Sequence, residues 1–234
     1  RTLAVGAPNN SGSGVYAGHT RIYRIELPDE AYENTEPLCR SQSEGNGDPH
    51  FTTWKNEHFE FHGQCDIAMI SDKTFANGLG LDIHVRTKLV RFWSYIKTAA
   101  IRIGNDILEI EGSLDNTLRY WMNYEYQGEL STIGGFPITV NPNKDVYTID
   151  LEILAPKQKI LIKTFKEFVG VKIIKASDST FGNARGITGD FRSGKTLARD
   201  RTTVLADFTD LGNEWQVLRS DGLLFHEVSH PQFP

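Results

Sequence analysis

Apolar and polar residues alternate with a period of two along most of this chain. In "LDIHVRT", Leu81, Ile83 and Val85 alternate with Asp82, His84 and Arg86. In "VYTIDLEIL", Tyr147, Ile149, Leu151 and Ile153 alternate with Thr148, Asp150 and Glu152. In "VGVKII", Val169, Val171 and Ile173 share one face, and "FEFHGQCDIAMI", "AAIRIG" and "DILEIEG" continue the pattern. Strict alternation predicts half-buried strands with one wet face, as in antiparallel sheets. Turn residues such as "GND" (104–106) and "NPNKD" (141–145) break the runs at short intervals. No amphipathic helix longer than about three turns passes the i, i+3, i+4 test. A short helical turn is expected near 206–211. The chemistry-bearing residues therefore sit on strands and loops.

Composition changes this picture little. A chain of 234 residues, 39% hydrophobic and 11% aromatic, can bury a real core and forms one large domain or one domain with an appendage. It has no run of 18 apolar residues. A net charge of −5 argues against a nucleic-acid binder. Lysines do cluster at 157, 159, 163, 166, 172 and 175, but they alternate with apolar residues and read as a solvated strand face. Arg1 is not an initiator methionine and no signal-like segment follows it, so the chain reads as an internal fragment or processed product. The two cysteines, Cys39 and Cys65, suffice for one bridge and not for a disulfide scaffold.

"GDFRSGKT" (189–196) fits the phosphate-cradling pattern G-x-x-x-x-G-K-T. That chemistry needs a buried strand feeding a glycine-rich turn that opens a helix. The preceding "FGNARGIT" is too polar and glycine-rich for such a strand, and no apolar strand ending in a magnesium-holding Asp stands out. Nucleotide binding is the remote alternative.

Other candidate sites are weighed in the same way. His58 and His62 bracket Glu60, but on a strand they stand about 13 Å apart, too far for one zinc ion. Glu109 and Glu111 share a strand face about 6.6 Å apart, a spacing that could suit a glycosidase but arises constantly on wet strand faces. His226 and His230 fall in a polar tail and read as surface residues. No serine sits in a nucleophile-elbow context. The residues call for no catalytic group, metal or cofactor. Residues 28–47 carry five carboxylates against one Arg and read as a linker.

Two resemblances add to this. "AVGAP" followed by "GHTRIY" resembles the FG-GAP repeat of integrin-like β-propellers, over about one hairpin, without the carboxylates of its calcium loop. Residues 1–27 would then be the tail of a larger propeller. More specifically, "GDPHFTTWKNEHFEFHGQC" (47–65) resembles the opening of a von Willebrand factor type D domain. "GITGDFRSG" (186–194) and "LGNEWQV" (211–217) resemble its closing signatures. The chain is similar to the cysteine-poor, microalgal-type version of that domain, since Thr188 stands where the closing signature has Cys.

These resemblances imply an all-β chain: an antiparallel β-sandwich-like domain at 47–219, a propeller-derived hairpin at 1–27, an acidic linker at 28–46 and a tail at 220–234. They imply a non-catalytic extracellular or cell-surface structural module for matrix assembly or adhesion, with proteins or glycans as partners. A carbohydrate-recognition module is the alternative, for which Trp93, Tyr95, Trp121, Tyr124 and Tyr126 would form the aromatic platform. With the family's later cysteines missing, Cys39 is expected to pair with Cys65. Asp48-Pro49, in G-D-P-H, is a candidate for acid-promoted self-cleavage, as in some members of the resembled family. The family's calcium site is expected to be degenerate: Lys55 stands at one carboxylate position, Asp190 keeps another and Arg192 occupies a third. Leu197 and Ala198 fall on the acidic end of the loop, and Asp200 enters only through a register slip. Lys55 or Arg192 is expected to pair with Asp190 in place of the ion.

Overall fold

A computed structural model describes residues 2–6, 20–24, 50–90, 93–114, 117 and 119–228. The chain divides into two compact units, Arg1–Glu36 and Pro37–Pro234. In the first, β1 (Thr2–Gly6) and β2 (Thr20–Arg24) pair antiparallel with Leu3 opposite Tyr23.

The second unit is all-β apart from short helical turns. β3 (His50–Thr52) and β4 (His58–Glu60) form a small hairpin. β5 (Asp66–Asp72), β6 (Leu81–Val90), β7 (Trp93–Ile103), β8 (Asp106–Glu111), β9 (Arg119–Met122) and β10 (Glu125–Tyr126) follow in the chain. They build a six-stranded antiparallel sheet in the order β10-β9-β8-β7-β6-β5. β11 (Thr132–Ile133), β12 (Phe136–Val140), β13 (Val146–Asp150), β14 (Lys159–Phe165) and β15 (Phe168–Ile174) build a five-stranded sheet in chain order. α1 (Phe75–Gly78, an irregular turn with positive φ at Ala76 and Asn77) falls between β5 and β6, and α2 (Asp178–Phe181) and α3 (Phe208–Glu214) follow β15. The helical turn expected near 206–211 is α3. Asp207 caps it, its carboxylate accepting from the N–H groups of Thr209 and Asp210 at 2.7 and 3.1 Å.

The two large sheets face each other as a sandwich. Leu81, Ile83 and Val85 of β6 and Ile101 and Ile103 of β7 share one core with Ile138, Tyr147, Ile149, Ile160 and Ile162 of the other sheet. These are the apolar phases of the alternating runs, so period two places the core directly. Turn chemistry sets strand ends. The Asn141 side-chain oxygen accepts from the N–H groups of Asp145 and Val146, both at 3.0 Å, and closes the turn between β12 and β13.

Two runs stop short of the pattern. The alternation in "VYTIDLEIL" extends to Ile153, but β13 ends at Asp150 and Ile153 is 85% exposed. The Leu151 N–H donates to the Gln158 carbonyl, which turns the chain away before Ile153 can face the core. In "FEFHGQCDIAMI" the strand breaks after Glu60 and resumes at Asp66.

The outer face of the six-stranded sheet is not simply wet. Cross-strand ion pairs line it: Arg86 with Asp66 at 2.7 Å, Arg102 Nε with Asp82 at 3.1 Å and Lys97 with Glu111 at 2.8 Å. Asp66 sits opposite Arg86 and Asp82 opposite Arg102 in the strand register. Residues 218–228 then cross this face. Leu224 and Phe225 are buried against Ala100 and Ile107, and Arg86 lies over the Phe225 ring at 4.1 Å. The expected polar tail at 220–234 is therefore, through residue 228, a strap over the sheet. Its short Leu223-Leu224-Phe225 run was the available signal.

Candidate functional site

The turn Thr53–Glu57 joins β3 to β4, closed by the Thr53 N–H donating to the Glu57 carbonyl at 2.9 Å, with Asn56 at φ 65°. This opening segment meets the closing segment at several points. The Trp54 N–H donates to the Thr188 carbonyl at 3.1 Å, and the Trp54 ring meets Phe191 edge-on at 4.9 Å. Phe59 stacks on Phe208 at 4.3 Å. Phe61 fills the space where a Cβ on Gly212 would lie, 2.1 Å from a ring carbon. Thr188, at the position where the resemblance would place a cysteine, is buried and donates its hydroxyl to the Met69 carbonyl at 3.1 Å.

The positions expected from the resemblance to form a degenerate calcium site converge in part. The Lys55 stem runs across Gly194, whose added Cβ would meet Lys55 Cγ and Cε at 2.6 Å. Asp190 lies in the same loop, but its Oδ1 accepts from the Ser193 N–H and hydroxyl at 2.8 and 2.6 Å. The expected ion pair with Asp190 does not form as anticipated. Arg192 turns to Asp178, Nε to Oδ1 at 3.0 Å, because α2 begins there and presents that carboxylate to it. Lys55 makes no ion pair within 4.0 Å among the described residues; its contact with the loop is through the apolar stem. Leu197 and Ala198 instead bond across to Val204 and Thr203. Asp200 holds its own turn, accepting from Thr202 and Thr203. These hydrogen bonds lower its pKa to about 2. Among the described residues no three His, Cys, Asp or Glu side chains gather as a metal site. The loop 189–196 leads into the Leu197–Val204 bridge and not into a helix, so its G-x-x-x-x-G-K-T match lacks the helix N-terminus that would face a phosphate.

The remaining candidates are dispersed. His58 bonds to Thr52 (Nδ1 to Oγ1, 3.0 Å), and His62 lies beyond the strand beside Glu60 at 3.4 Å. His50 contacts the same Glu60 at 3.2 Å. His226 is not a free surface residue. Its N–H and Nδ1 reach the two carboxylate oxygens of Glu109 at 2.7 and 3.0 Å, and its ring stacks on Trp121 at 3.9 Å. Glu109, 2% exposed, has a raised pKa because burial outweighs the His226 hydrogen bonds. Glu111 pairs with Lys97, so the two carboxylates serve separate contacts. Of the aromatic platform, Tyr95 packs on Phe168 and Trp121 is covered by His226, while Tyr124 and Tyr126 are 50% and 54% exposed. The Trp93 side chain, Cys39, Asp48, Pro49 and His230 lie outside the described residues. Cys65 is buried just before β5.

Beside the junction lies a cleft of about 810 Å³, which sequence reasoning missed. Val169–Ile173 of β15 form one wall, the β3–β4 hairpin another, and Ile70, Tyr95 and Ile96 the floor. It arises where the sandwich opens along one side, a tertiary feature that no local pattern marks. Val171 and Ile173 are in the core phase of β15 and yet only half-buried, because they border this opening.

No protein-family model matches the chain, and no curated protein sequence matches it.

Proposed function

We propose that the chain is a non-catalytic structural module of an extracellular or cell-surface assembly, built on a von Willebrand factor type D-like domain preceded by an FG-GAP-like hairpin. The supporting observation is the junction between two segments far apart in the chain, around Lys55 and around Gly194. The turn that resembles the family's opening carboxylate position, at Lys55, lies against the loop that resembles its closing ligand positions, at Gly194. The resemblance requires those two segments to meet around an ion; here an alkyl stem, aromatic contacts and the Trp54–Thr188 hydrogen bond join them. A module that braces its ends in this way suits adhesion or matrix assembly.

Labelling intact producing cells with a membrane-impermeant amine reagent tests the location. The protein is expected to be labelled without permeabilisation; labelling only after permeabilisation overturns the reading. Glycan recognition is the second reading, supported by exposed Tyr124 and Tyr126 near Trp121, whose ring is 5.3 Å from that of Tyr126. A glycan array, with Tyr126→Ala as control, discriminates the two.

A further inference from the structure

We propose that the outer edge of β15 is a docking site for an extended partner segment of alternating apolar and acidic residues, added to the five-stranded sheet as a further strand. The inference deepens the contact-module reading by naming the partner's chemistry.

Sheet edges are normally blunted, because their unpaired backbone groups template a further strand. The other edges of the two large sheets obey this. β10 and β11 are two residues long. β5 is bridged by the closing segment, Ile67 to Gln216 and Ser71 to Arg185. β15 is different. It has seven residues, no proline, and no hydrogen-bonded strand on its outer side among the described residues; the β3–β4 hairpin and Tyr95 and Ile96 of β7 stand across the cleft from it.

The register shows which groups are available. Phe165 and Phe168 close a two-residue turn, Lys166-Glu167, so they form the hydrogen-bonded pair at the end of the ladder. Alternation from there turns the backbone N–H and C=O of Val169, Val171 and Ile173 outward. These same residues line the cleft. An incoming strand therefore finds backbone donors and acceptors on one side and an apolar trough under its inward side chains.

Charge selects the other face of that strand. Lys163 and Lys172 line the cleft, and no Asp or Glu does. Both lysines are exposed, and Lys172 sits opposite Leu161 on the outward face of the hairpin. They belong to the lysine cluster that the alternating pattern identified, and at these two positions no ion pair forms among the described residues. An edge guarded by lysine alone would repel other edges; the apolar trough beside it gives the opposite preference, for a strand carrying carboxylates outward and aliphatic groups inward.

The test is fluorescence anisotropy on the purified chain, using an eight-residue peptide of alternating Val and Glu. Three comparisons accompany it: a Val/Lys peptide, the Val/Glu peptide N-methylated at alternate backbone positions, and the Val171→Pro and Lys172→Glu variants. Saturable binding of Val/Glu is expected, weakened at least tenfold by N-methylation. Val171→Pro removes an outward N–H, together with the valine side chain at the cleft, without taking a bond from the β14–β15 ladder, and should weaken binding as much; circular dichroism checks its fold. Lys172→Glu should reduce or reverse the preference for Val/Glu over Val/Lys. Absence of saturable binding, equal affinity for the N-methylated peptide, or equal affinity for Val/Lys overturns the proposal. So does a concentration-dependent dimer abolished by Val171→Pro, which would assign the edge to a second copy. The measurement is indifferent to where the protein resides, so its failure is distinct from a failure of the labelling experiment.

Discussion

His226 grips Glu109 with two hydrogen bonds, one from its backbone N–H at 2.7 Å and one through ring Nδ1 at 3.0 Å, across 117 positions of sequence. Glu109 is 2% exposed, so it depends on this partner for most of what replaces water. His226→Ala leaves the backbone bond and removes the ring, with its stacking on Trp121. The expected loss is about 1–3 kcal/mol in urea unfolding at pH 7. Burial already raises the Glu109 pKa, and losing the ring bond raises it further. The loss should therefore shrink as pH falls through the folded pKa of Glu109 and the carboxyl takes up a proton. A loss that stays constant with pH would show that the stacking, and not the carboxylate, carries the effect.

His84 supplies the opposite slope. It is 1% exposed, and neither ring nitrogen has a hydrogen-bond partner among the described residues. Burial lowers its pKa to about 4 from 6.5, against the pull of Asp82, Asp221 and Asp66, while Arg102 adds to the lowering. Between those values the unfolded chain binds the proton and the folded one does not. Stability is thus complete above about pH 6.5 and declines as pH falls toward 4, by about 3 kcal/mol if His84 acts alone. Glu109 partly offsets this. Urea midpoints at pH 7, 6, 5 and 4.5 should fall in the parent and change much less in His84→Leu. Equal slopes would exclude His84 as the cause.

These two residues also mark the limit of what was legible in the sequence. Leu81, Ile83 and Val85 announced their strand and core face through period two, and so did Tyr147 and Ile149. His84 and Glu109 occupy the polar phase of the same pattern, which predicts solvent. They are buried because residues 218–228 fold back over them, a long-range event signalled only by Leu224 and Phe225 in a polar stretch. The resemblance led to an expected pair of Lys55 or Arg192 with Asp190; the Lys55 stem instead lies across Gly194, and the Arg192–Asp178 pair depended on where α2 would start. The cleft beside β15 was invisible for a related reason, since it is defined by how two sheets diverge.

Gly212 sits inside α3, where replacement by alanine ordinarily stabilises by up to about 1 kcal/mol. Here the added methyl would lie 2.1 Å from a Phe61 ring carbon. Phe61 is 2% exposed and has no room to withdraw. Gly212→Ala should therefore destabilise by about 1–3 kcal/mol through overpacking. Thermal and urea unfolding give the sign. A stabilised Gly212→Ala would mean that the opening and closing segments are not packed as closely as described.

Asp48-Pro49 tests the resemblance from another direction. The Asp carboxyl can attack its own backbone carbonyl, and the proline nitrogen is a better leaving group than a secondary amide nitrogen. The bond should stay intact at neutral pH and cleave slowly at pH 5–6, where more of the carboxyl is protonated. Mass spectrometry of acid-incubated protein should show fragments split after residue 48, absent in Asp48→Asn. An intact parent chain after prolonged incubation sinks the expectation.

Calcium should leave the domain's stability unchanged. The ion takes six to eight oxygen ligands, several of them anionic. At the junction Asp190 spends Oδ1 on the Ser193 N–H and hydroxyl, and the Lys55 stem occupies the space beside Gly194. Arg192 is drawn off by Asp178 in a pair whose side chains are 62% and 66% exposed, so that pair contributes little. Asp200, which a register slip would bring in, is held by Thr202 and Thr203 in its own turn. The Asp190 hydrogen bonds should make Asp190→Ala cost about 1 kcal/mol, equally with Ca²⁺ and with EDTA. Ligand linkage gives a site saturated a hundredfold above its Kd about 2.7 kcal/mol of added stability, a readily measured rise in Tm. Melts in millimolar Ca²⁺ and in EDTA should therefore superimpose for the parent chain. A Ca²⁺-dependent rise abolished by Asp190→Ala would instead show that the loop still closes on the ion and that the Lys55 stem yields to it.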